Sequence, residues 1–424
     1  MRRSQGLALG LAFSLLAPSL AHAAGLSRPN LVGARAIGLG GAYTAVADDP
    51  TAVWYNPAGP AFFGDNEIYL GGELVITQRS YTPSADSPLG TNGITGKITE
   101  NTTPAFLPII GVSTRFGFGK TRPTRFALSL LAHVAYGGSI GFSHSDITKP
   151  GGDPTKPTVL GIAGSQILDF EITPALSYQV TDVLAIGAGL RIGVTAFSVD
   201  DFEPAFHANL SATGVGIGAT LGIMLKPHKM IDIGAVYRTP LSATTTGSGP
   251  VSQVGSATMN RDMSLSITWP QSAGLGIAVK PHWRFMASVQ GDWTGWSSVQ
   301  KLSIDLAGLP PTVKVTKFSD SYSFHLGLQT IITKNVLVRL GYAYDSNAIP
   351  DAAVRRENTD APKGTLAAGL GVRLWKLFGD IAFETFIPAG PTDRIVKTQV
   401  GLDNEAGKYS AFVYSIEVSG KIHF

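Results

Sequence analysis

Apolar and polar side chains alternate along the C-terminal end of the chain. The apolar set within residues 412–424, interrupted only by Gly420, is Phe412, Tyr414, Ile416, Val418, Ile422 and Phe424. The positions between them are almost all polar and are Val413, Ser415, Glu417, Ser419, Lys421 and His423. Because successive side chains of a β-strand point to opposite faces, this pattern predicts a strand with one apolar face that carries aromatic residues at both ends. Such a face is typical of a barrel strand in contact with lipid.

The same two-residue period recurs through most of the chain. One example is the apolar set Phe126, Leu128, Leu130, Val134 and Tyr136, which alternates with Ser129 and His133. This register places His133, and in another segment His325, on the face toward the barrel interior. Fourteen strands are predicted, at 67–80, 104–118, 124–142, 166–179, 183–200, 211–226, 229–242, 258–280, 283–298, 319–332, 335–347, 364–376, 379–389 and 410–424. Sixteen remain open if Trp269-Pro270 splits 258–280 in two, because proline cannot donate to a ladder.

The connections between these strands alternate in length. The short ones lie near 119–123, 180–183, 226–229, 280–283, 333–335 and 376–379, and the long ones near 81–103, 143–165, 201–210, 243–257, 299–318, 348–362 and 390–408. Period two alone also fits a soluble β-sandwich. Long strands, alternating connections and a terminal aromatic residue favour an all-β fold of another kind, a transmembrane antiparallel β-barrel of fourteen strands.

The N-terminus has the features of a secretory signal peptide. Arg2 and Arg3 precede an apolar run at 7–17, and the A-x-A sequence at 21–23 predicts cleavage that leaves Ala24 or Gly25 first. The alternative is an N-terminal membrane anchor. We expect three parts: a signal peptide at 1–23, a plug at 24–65 and a transmembrane β-barrel at 66–424.

The amino-acid composition further limits the class of protein. The 424 residues include no cysteine, 50 glycines and only 15% charged residues, with a net charge of +3. No run of five like charges is present, so a nucleic-acid-binding surface is not expected. Beyond the signal no run of 18 apolar residues predicts a transmembrane helix. An exported, cysteine-free, glycine-rich chain fits a membrane β-barrel in the outer membrane of a Gram-negative bacterium.

Residues before the first strand lack its alternation. Leu31 to Ala47 consists of Gly and Ala with scattered larger apolar residues, which favours short helices of small cross-section. Asp49 is a candidate N-cap with Pro50 as the first helical residue, and Asn56-Pro57 would end that helix because the residue before proline avoids the α region. A small, mainly helical element packed inside a barrel would be a plug.

Three segments of this region resemble the N-terminal hatch of the FadL-type outer-membrane transporters. They are GARAIGLGGA at 33–42, ADDP at 47–50 and WYNPAG at 54–59. The resemblance implies a fourteen-stranded barrel with the hatch inside and passive uptake of hydrophobic small molecules, such as long-chain fatty acids or aromatic hydrocarbons. It also implies lateral release into outer-membrane lipid beside the Asn-Pro-Ala element, at an inward kink of the third strand.

On this resemblance the candidate hatch and lateral-gate residues are Trp54, Tyr55, Asn56, Pro57, Ala58 and Gly59. Gly137 and Gly138 are the candidates for the kink, because adjacent glycines near the end of the predicted third strand suggest a bulge or bend. Phe424 is the candidate signal for the barrel-assembly machinery. No cofactor, metal site or nucleic-acid partner is expected, and the residues that bind the ligand are not assigned.

Other functions have weaker support. Residues 137–141 match G-x-S-x-G, but a nucleophile elbow needs a helix after the strand, and none is predicted there. His144 with Asp146 could form part of a barrel hydrolase, although a solvated loop explains both. Asp48 and Asp49 could bind a cation, although helix capping explains them. A structural or adhesive barrel that binds partners through its loops is the main alternative to transport, and a water-filled porin is the nearest transport alternative.

Overall fold

The computed structural model describes residues 31–116, 125–143, 147, 161–253, 257–356, 360–388, 394–397 and 405–424, except positions 64, 88, 103, 204–205, 300, 310–311 and 316. The predicted signal peptide and the start of the predicted plug therefore lie outside the described residues. The helical elements are short: α1 (Ala34–Gly38), α2 (Ala52–Tyr55) and single 3-10 turns at Gly59–Phe62, Gly90–Asn92, Trp296–Ser298 and Asp351–Ala353. Within the described ranges no helix has the length and apolarity needed to cross a membrane.

Fourteen antiparallel strands of the described chain form the barrel wall. They are β1 (Glu67–Pro83), β2 (Ala105–Phe116), β3 (Phe126–Gly141), β4 (Gly161–Gln179), β5 (Leu184–Glu203), β6 (Phe206–His228), β7 (Ile231–Arg238 and Leu241–Gln253), β8 (Met259–Trp269 and Ser272–His282), β9 (Phe285–Thr294 and Lys301–Leu306), β10 (Thr312–Val315 and Ser321–Thr333), β11 (Val336–Asp345), β12 (Lys363–Leu374), β13 (Leu377–Pro388) and β14 (Gly407–His423). Two short strands, Ile98–Thr99 and Arg394–Val396, pair with β1 and β14 inside long connections.

The wall closes on itself. β14 pairs with β1 over the whole length of both strands, from Glu67 opposite His423 to Pro83 opposite Gly407. The prediction of fourteen strands is confirmed. The β8 span is interrupted at Pro270, but its two halves continue one strand. Met259–Trp269 pairs with Leu241–Gln253 of β7, and Ser272–His282 pairs with Ile231–Arg238 of β7. The alternative count of sixteen is therefore wrong.

The two ends of the barrel differ. One end, here the short-turn end, carries both barrel termini and connections of a few residues, such as those at 180–183, 229–230 and 283–284. The opposite end, here the long-loop end, carries the long connections, as outer-membrane barrels do on their extracellular side. Three predicted long loops are wrong. β5 and β6 continue to Glu203 and Phe206, which face each other where a loop was expected at 201–210. The loop expected at 243–257 is strand up to Gln253, and the one expected at 299–318 contains the paired segments Lys301–Leu306 and Thr312–Val315.

The outward face of the wall is apolar in the middle of the barrel. On β10, Phe324, Leu326 and Leu328 point outward and are 47%, 39% and 46% exposed, whereas His325 between them points inward and is buried. This confirms the predicted inward direction of His325, and His133 is buried on the inner face in the same way. Side chains that are exposed, apolar and aligned in this way suit contact with lipid tails.

We expect Leu326→Arg to reduce the free energy of unfolding by about 2–4 kcal/mol in lipid vesicles, because it moves a guanidinium into the hydrocarbon layer. Thr244→Arg is the matched control, since Thr244 is also exposed on the outer face but lies near the long-loop end among serine and threonine side chains. Its cost should stay within about 0.5 kcal/mol, the range of ordinary surface substitutions. Equal costs in urea unfolding would mean that the lipid-facing band is misplaced.

Candidate functional site in the barrel interior

Residues 31–63 fill the middle of the barrel, and we call this segment the plug. Its backbone lies directly against inward-facing glycines of the wall. A Cβ at these positions would overlap or crowd plug backbone or plug side-chain atoms, and they are Gly187, Gly222, Gly234, Gly276, Gly327, Gly341 and Gly369. The high glycine content thus has a structural reason, because a residue without a side chain lets another backbone approach closely.

Polar wall side chains anchor the plug at several heights. Gln290 Oε1 accepts the amide protons of Tyr43 and Thr44 at 2.9 and 2.8 Å, and Ser288 Oγ donates to Ala42 O at 2.8 Å. His325 Nδ1 donates to Gly40 O at 2.6 Å. These bonds satisfy backbone groups of an irregular segment that would otherwise be buried without partners.

The first plug helix is held from the opposite wall. Glu417 on β14 accepts the Gly33 amide at 3.0 Å and the Tyr69 hydroxyl at 3.1 Å, and Tyr69 Oη in turn accepts the Ala34 amide at 3.2 Å. Two unpaired amides at the start of α1 thereby find acceptors, as helix N-termini require. Side chains of β1, β9, β10 and β14 thus fix the plug from several sides.

An ion pair ties the two halves of the plug to each other. Arg35 Nη1 lies 2.9 Å from Asp48 Oδ1, and the single proton of the Tyr43 hydroxyl is shared between Asp48 at 2.9 Å and Asp49 at 2.8 Å. Burial alone would raise the pKa of Asp48, but the positive charges of Arg35 and Lys421 outweigh it and the pKa lies below its ordinary value. Intramolecular bonds therefore account for these carboxylates without a bound cation.

The predicted capped helix exists but begins later than expected. α2 starts at Ala52, not at Pro50, and Asp49 Oδ1 accepts the Thr51 amide at 2.9 Å just before it. The helix ends at Tyr55, and Asn56 is extended, as the Asn-Pro sequence predicts. The Asp49 carboxylate thus stabilises the turn that leads into the helix without being its N-cap residue.

Asn56 contacts a different part of the wall from the one implied by the resemblance. Its Nδ2 donates to Ile223 O on β6 at 3.0 Å and to Thr44 O within the plug at 3.1 Å, and its Oδ1 accepts the Ala58 amide at 3.1 Å. Pro57 and Ala58 lie against Gly187 of β5, and Gly59 packs on Ala47. The expectation that Asn56-Pro57-Ala58 packs against the third strand is therefore wrong, because the glycines of β5, β6 and β7 provide the space for this turn.

Trp54 is the plug residue that faces β3. Its ring lies edge-on to the His133 ring at 4.8 Å between centroids, and the Arg238 guanidinium stacks on it at 4.1 Å. Tyr55 points the other way, accepting the Val32 amide at 2.8 Å and packing edge-on to Tyr43 at 5.1 Å. Of the six predicted gate residues, Trp54 is thus the one whose ring contact with β3 is seen.

The third strand carries an irregularity close to the predicted place. Its register with β4 shifts between Val134 and Tyr136, which leaves Ala135 as a bulged residue. Gly137 and Gly138 pair in register with Leu168 and Ile167, so the kink predicted at these two glycines lies two residues earlier. A bulge reverses the faces that follow it. Tyr136, which the simple alternation places on the lipid face, therefore points into the barrel.

A gap in the wall accompanies this bulge. β2 pairs with β3 only from Ile110 opposite Ala132 to Phe116 opposite Phe126. Among the described residues, backbone pairing of β3 with that side of the wall resumes near Gly141 and Phe142, where Asn101 N donates to Gly141 O at 2.8 Å. Between these two points the side chain of Arg79 on β1, which pairs with Glu100, donates to Ser139 O at 2.5 Å. The strand segments between these points have no ladder with each other.

β3 bends inward along this gap. Val134 has the outward parity of Leu128 and Leu130, which are 52% and 41% exposed, yet Val134 is only 2% exposed. It packs in a cluster with Leu168 of β4 and with the inward-facing side chains Val75, Ala105, Leu107 and Val413 of β1, β2 and β14. The outer side of β3 therefore lies beneath the inner side of β1 and β2, and apolar side chains line both borders of the gap around Val134.

The barrel interior is apolar at the long-loop end. Tyr136 stacks on Trp269 at 4.7 Å between ring centroids and meets Trp296 edge-on at 6.3 Å. The same buried cluster includes Ile140, Phe142, Leu210, Leu241, Met263, Leu265, Ile267 and Phe318. Toward the long-loop end of β7 and β8, the outer face of the wall carries the exposed residues Ser242, Thr244 and Ser266. This part of the wall thus has a polar outside and an apolar inside.

This interior set was not predicted from the sequence. On three strands the inward-facing set of residues switches between odd and even positions. The switches lie at the same level of the barrel, at Ala135 of β3, Thr239-Pro240 of β7 and Pro270-Gln271 of β8. The prolines and the serine and threonine alternation after Pro240 were the available signals. They indicate a change of register, but not the aromatic cluster that it creates.

A polar belt separates the apolar interior from the plug. Arg191 of β5 pairs with Glu171 of β4, with Nε at 2.9 Å from Oε2, and Trp269 Nε1 donates to Thr195 Oγ1 at 3.0 Å. Arg191 also donates to Thr239 O at 2.7 Å, which satisfies the carbonyl at the break in β7. These bonds pair several buried polar groups at the level where the strands change register.

A catalytic site has no support in the described residues. The G-x-S-x-G match at 137–141 lies within β3, and His144 and Asp146 are outside the described residues. No group of three potential metal ligands occurs in the part of the chain that the structure describes. Phe424 is 58% exposed at the end of β14, where its amide donates to Asn66 O at 3.1 Å.

A closed fourteen-stranded barrel with an internal plug, an apolar face toward lipid and an apolar interior defines a class of outer-membrane proteins. Residues 14–376 match the family model described as outer membrane protein transport protein (OMPP1/FadL/TodX), and the chain belongs to this family. No curated protein matches the chain in sequence.

Solved structures share the fold at low sequence identity. A FadL homologue from Pseudomonas aeruginosa aligns with a TM-score of 0.79 and 19% identity over 95% of this chain and 100% of that one. The toluene transporter TbuX of Ralstonia pickettii aligns at 0.71 and 17% over 94% and 99%. The toluene transporter TodX of Pseudomonas putida aligns at 0.72 and 15% over 95% and 100%.

Proposed function

We propose that the chain takes up hydrophobic small molecules passively across the outer membrane and releases them sideways through the gap between β2 and β3. The observation that carries the proposal is the apolar interior at the long-loop end, which reaches the inward bend of β3 through Tyr136. Hydrophobic ligands include long-chain fatty acids and aromatic hydrocarbons. The solved toluene transporters of the same fold support this ligand class.

The proposed route has three steps. A hydrophobic molecule first leaves water for the aromatic and aliphatic side chains around Trp269, a transfer that is favourable in proportion to the apolar area buried. It then passes the bend of β3, where Tyr136 and Val134 lie on opposite sides of the strand. It finally enters the membrane between β2 and β3, where Leu107 and Val134 border the gap with apolar side chains.

The plug determines where a ligand can leave the barrel interior. Its ring of backbone contacts with wall glycines blocks the straight path to the short-turn end, so the ladder gap is the remaining exit of apolar character. Trp54 closes the lower border of the exit through its contact with His133. In this proposal Asn56, Pro57, Ala58 and Gly59 hold the plug on β5 and β6, and they act on the gate through the position of Trp54.

An interior lined by apolar side chains also favours transport over the adhesive alternative. A barrel that only displays loops has no need for Tyr136, Trp269 and Trp296 on its inner face, and it does not need a gap in its wall. Uptake by a plugged barrel that follows the concentration gradient requires neither a cofactor nor a catalytic residue. We therefore propose a channel without enzymatic activity.

Export and assembly complete the proposal. The N-terminal signal is removed after Ala23, the region 24–65 that contains the plug follows, and the barrel of residues 66–424 inserts into outer-membrane lipid. Phe424 serves as the C-terminal signal for the barrel-assembly machinery. Its exposed ring at the end of β14 is available for such recognition.

Loss of the interior aromatic surface tests the function. In cells that lack other uptake proteins of this class, we expect Trp269→Ala to lower the initial rate of toluene or oleate uptake about tenfold, since an aromatic contact and its buried area are worth about 1–2 kcal/mol. Trp375→Ala is the control, because Trp375 is 91% exposed at a short turn. Uptake rates that match in the two folded variants would exclude the apolar interior from the route.

Deletion of Phe424 tests the assembly signal. We expect a lower fraction of folded, heat-modifiable barrel in outer-membrane preparations, with unfolded protein accumulating in the periplasm. Phe412→Ala, on the same face of β14, is the control for loss of an exposed aromatic residue. If the deletion leaves the folded yield unchanged, the machinery does not need the terminal residue.

A further inference from the structure

We propose that the short-turn end of the barrel holds a binding site for an anionic amphiphile, a molecule with one carboxylate or phosphate group and an attached apolar chain. The site is a cavity of about 550 Å³ between the plug and two neighbouring turns. This volume falls within the usual range of small-molecule sites. The cavity lies at the end of the barrel opposite to the proposed uptake route, and the proposal does not depend on that route.

Backbone pairing brings the two turns together. Lys280 N donates to Met230 O at 2.8 Å, which joins the end of β8 to the β6–β7 turn. Ile331 N donates to Arg284 O at 2.8 Å, which joins the start of β9 to β10. The barrel ladder therefore fixes Lys229, Lys280 and Arg284 around one opening.

The lining has an excess of positive charge. Four fixed cations border the cavity, Arg35, Lys229, Lys280 and Arg284, against one carboxylate, Asp48. Arg35 pairs with Asp48, and Lys280 pairs with Asp232 on β7. Among the described residues, Lys229 and Arg284 form no ion pair with a carboxylate, so two cations remain to receive an anion. A guanidinium and an ammonium are the groups that proteins use for carboxylate and phosphate recognition.

Arg284 is held in place by its neighbour. Its guanidinium lies over the Trp283 ring at 4.6 Å from the centroid, and the His282 ring lies 5.6 Å from that of Trp283. A stacked guanidinium keeps its N–H groups free at the edge, so less side-chain entropy is lost when an anion binds.

Apolar side chains supply the second half of the site. Met230, Pro281, Met286 and Ile331 line the same cavity. A free inorganic anion would gain no binding energy from these apolar side chains, whereas an alkyl chain would bury them from water. Methionine adapts to chains of different shape, which suits recognition by hydrophobicity more than by exact fit.

The plug forms the inner border of this cavity. Arg35 and Asp48 line it, and Arg35 Nε is buried without a hydrogen-bond partner. An anion that reaches this depth can bond to Arg35 and compete with Asp48 for it. Occupancy of the cavity would then weaken the ion pair that joins the two halves of the plug.

The test is a titration of the purified barrel in dodecyl maltoside with four probes: octyl phosphate, octanoate, octanol and inorganic phosphate. We expect octyl phosphate or octanoate to bind at least about tenfold more tightly than octanol and inorganic phosphate, since charge-assisted bonds and apolar burial add. Preference for octyl phosphate would assign a lipid-like phosphate, and preference for octanoate a carboxylate.

The variants locate the site. The double variant Lys229→Gln/Arg284→Gln should weaken binding of the preferred probe about tenfold or more, as loss of two charge-assisted contacts predicts. The control Lys334→Gln/Lys376→Gln removes two cations from other turns at the same end and should leave binding unchanged. Folding is checked by heat modifiability. Equal binding of octanol, equal binding of inorganic phosphate, or an equal loss in the control would each overturn the proposal.

Discussion

Cells in which Leu107→Cys and Val134→Cys are joined by a disulfide should take up no more hydrophobic ligand than cells without the protein. The two side chains belong to one buried cluster on opposite borders of the gap between β2 and β3. A covalent bridge there would hold the borders together where no ladder does. The chain contains no cysteine, so the introduced pair is the only one that can form. Reduction with dithiothreitol should restore uptake, which separates closure of the gap from damage by the substitutions.

A second cysteine pair on the same two strands provides the control. Thr114 lies opposite Leu128 in the part of β2 and β3 that pairs continuously. A disulfide between Thr114→Cys and Leu128→Cys should leave uptake unchanged, because the ladder already joins the strands there. Full uptake through the oxidised Leu107–Val134 bridge, with bridge formation shown by mass spectrometry, would contradict lateral release. The exit would then have to pass the plug.

The alternation of apolar and polar residues predicted the strands of the barrel wall well. Successive side chains of a strand face lipid and the barrel interior in turn, and the two environments favour side chains of different polarity. Between Ser321 and Gln329 of β10 the strand keeps one inward side, so Leu326 and His325 fall on opposite faces as expected. Strand number follows from the same signal together with turn length. These features are local, and each segment of the sequence carries them independently.

The inward direction of Tyr136 could not be predicted from the local sequence. Nothing in the sequence around Ala135 marks one residue as unpaired, because a bulge is defined by the strand opposite it. The predicted glycines, Gly137 and Gly138, lie close to the bulge but pair in register. The error of two residues reversed the face of Tyr136 and hid its stacking on Trp269.

The partner of Asn56 was missed for a similar reason. A turn with free carbonyls and an amide side chain needs partners for these groups. Which strand provides them depends on where inward glycines occur around the barrel, and Gly187, Gly222 and Gly234 place them on β5, β6 and β7. Spacing along one strand gives no information about which strands are neighbours of the plug.

Replacement of one wall glycine should convert the plugged barrel into an open channel. Gly341 of β11 faces the plug, and a Cβ there would overlap the Gly40 nitrogen. Gly40 and Gly41 both have positive φ angles, 62° and 86°, so this tight turn of the plug has little freedom to adjust. We expect Gly341→Val to displace the plug while the ladder of β11 with β10 and β12 stays intact, because wall pairing does not involve the side chain.

Displacement of the plug should appear as permeability to water-soluble molecules. A barrel of fourteen strands lies between small barrels filled by side chains and porins with an aqueous channel, so its interior holds water once the plug has moved. Single-channel conductance in planar bilayers and sugar-driven swelling of proteoliposomes should therefore rise from near zero in the native protein. Gly291→Val is the matched control, because an added Cβ at Gly291 meets no atom within 4 Å. If Gly341→Val folds and stays as tight as this control, the plug tolerates the overlap by moving within the barrel, and the contacts with the wall glycines are not what seals it.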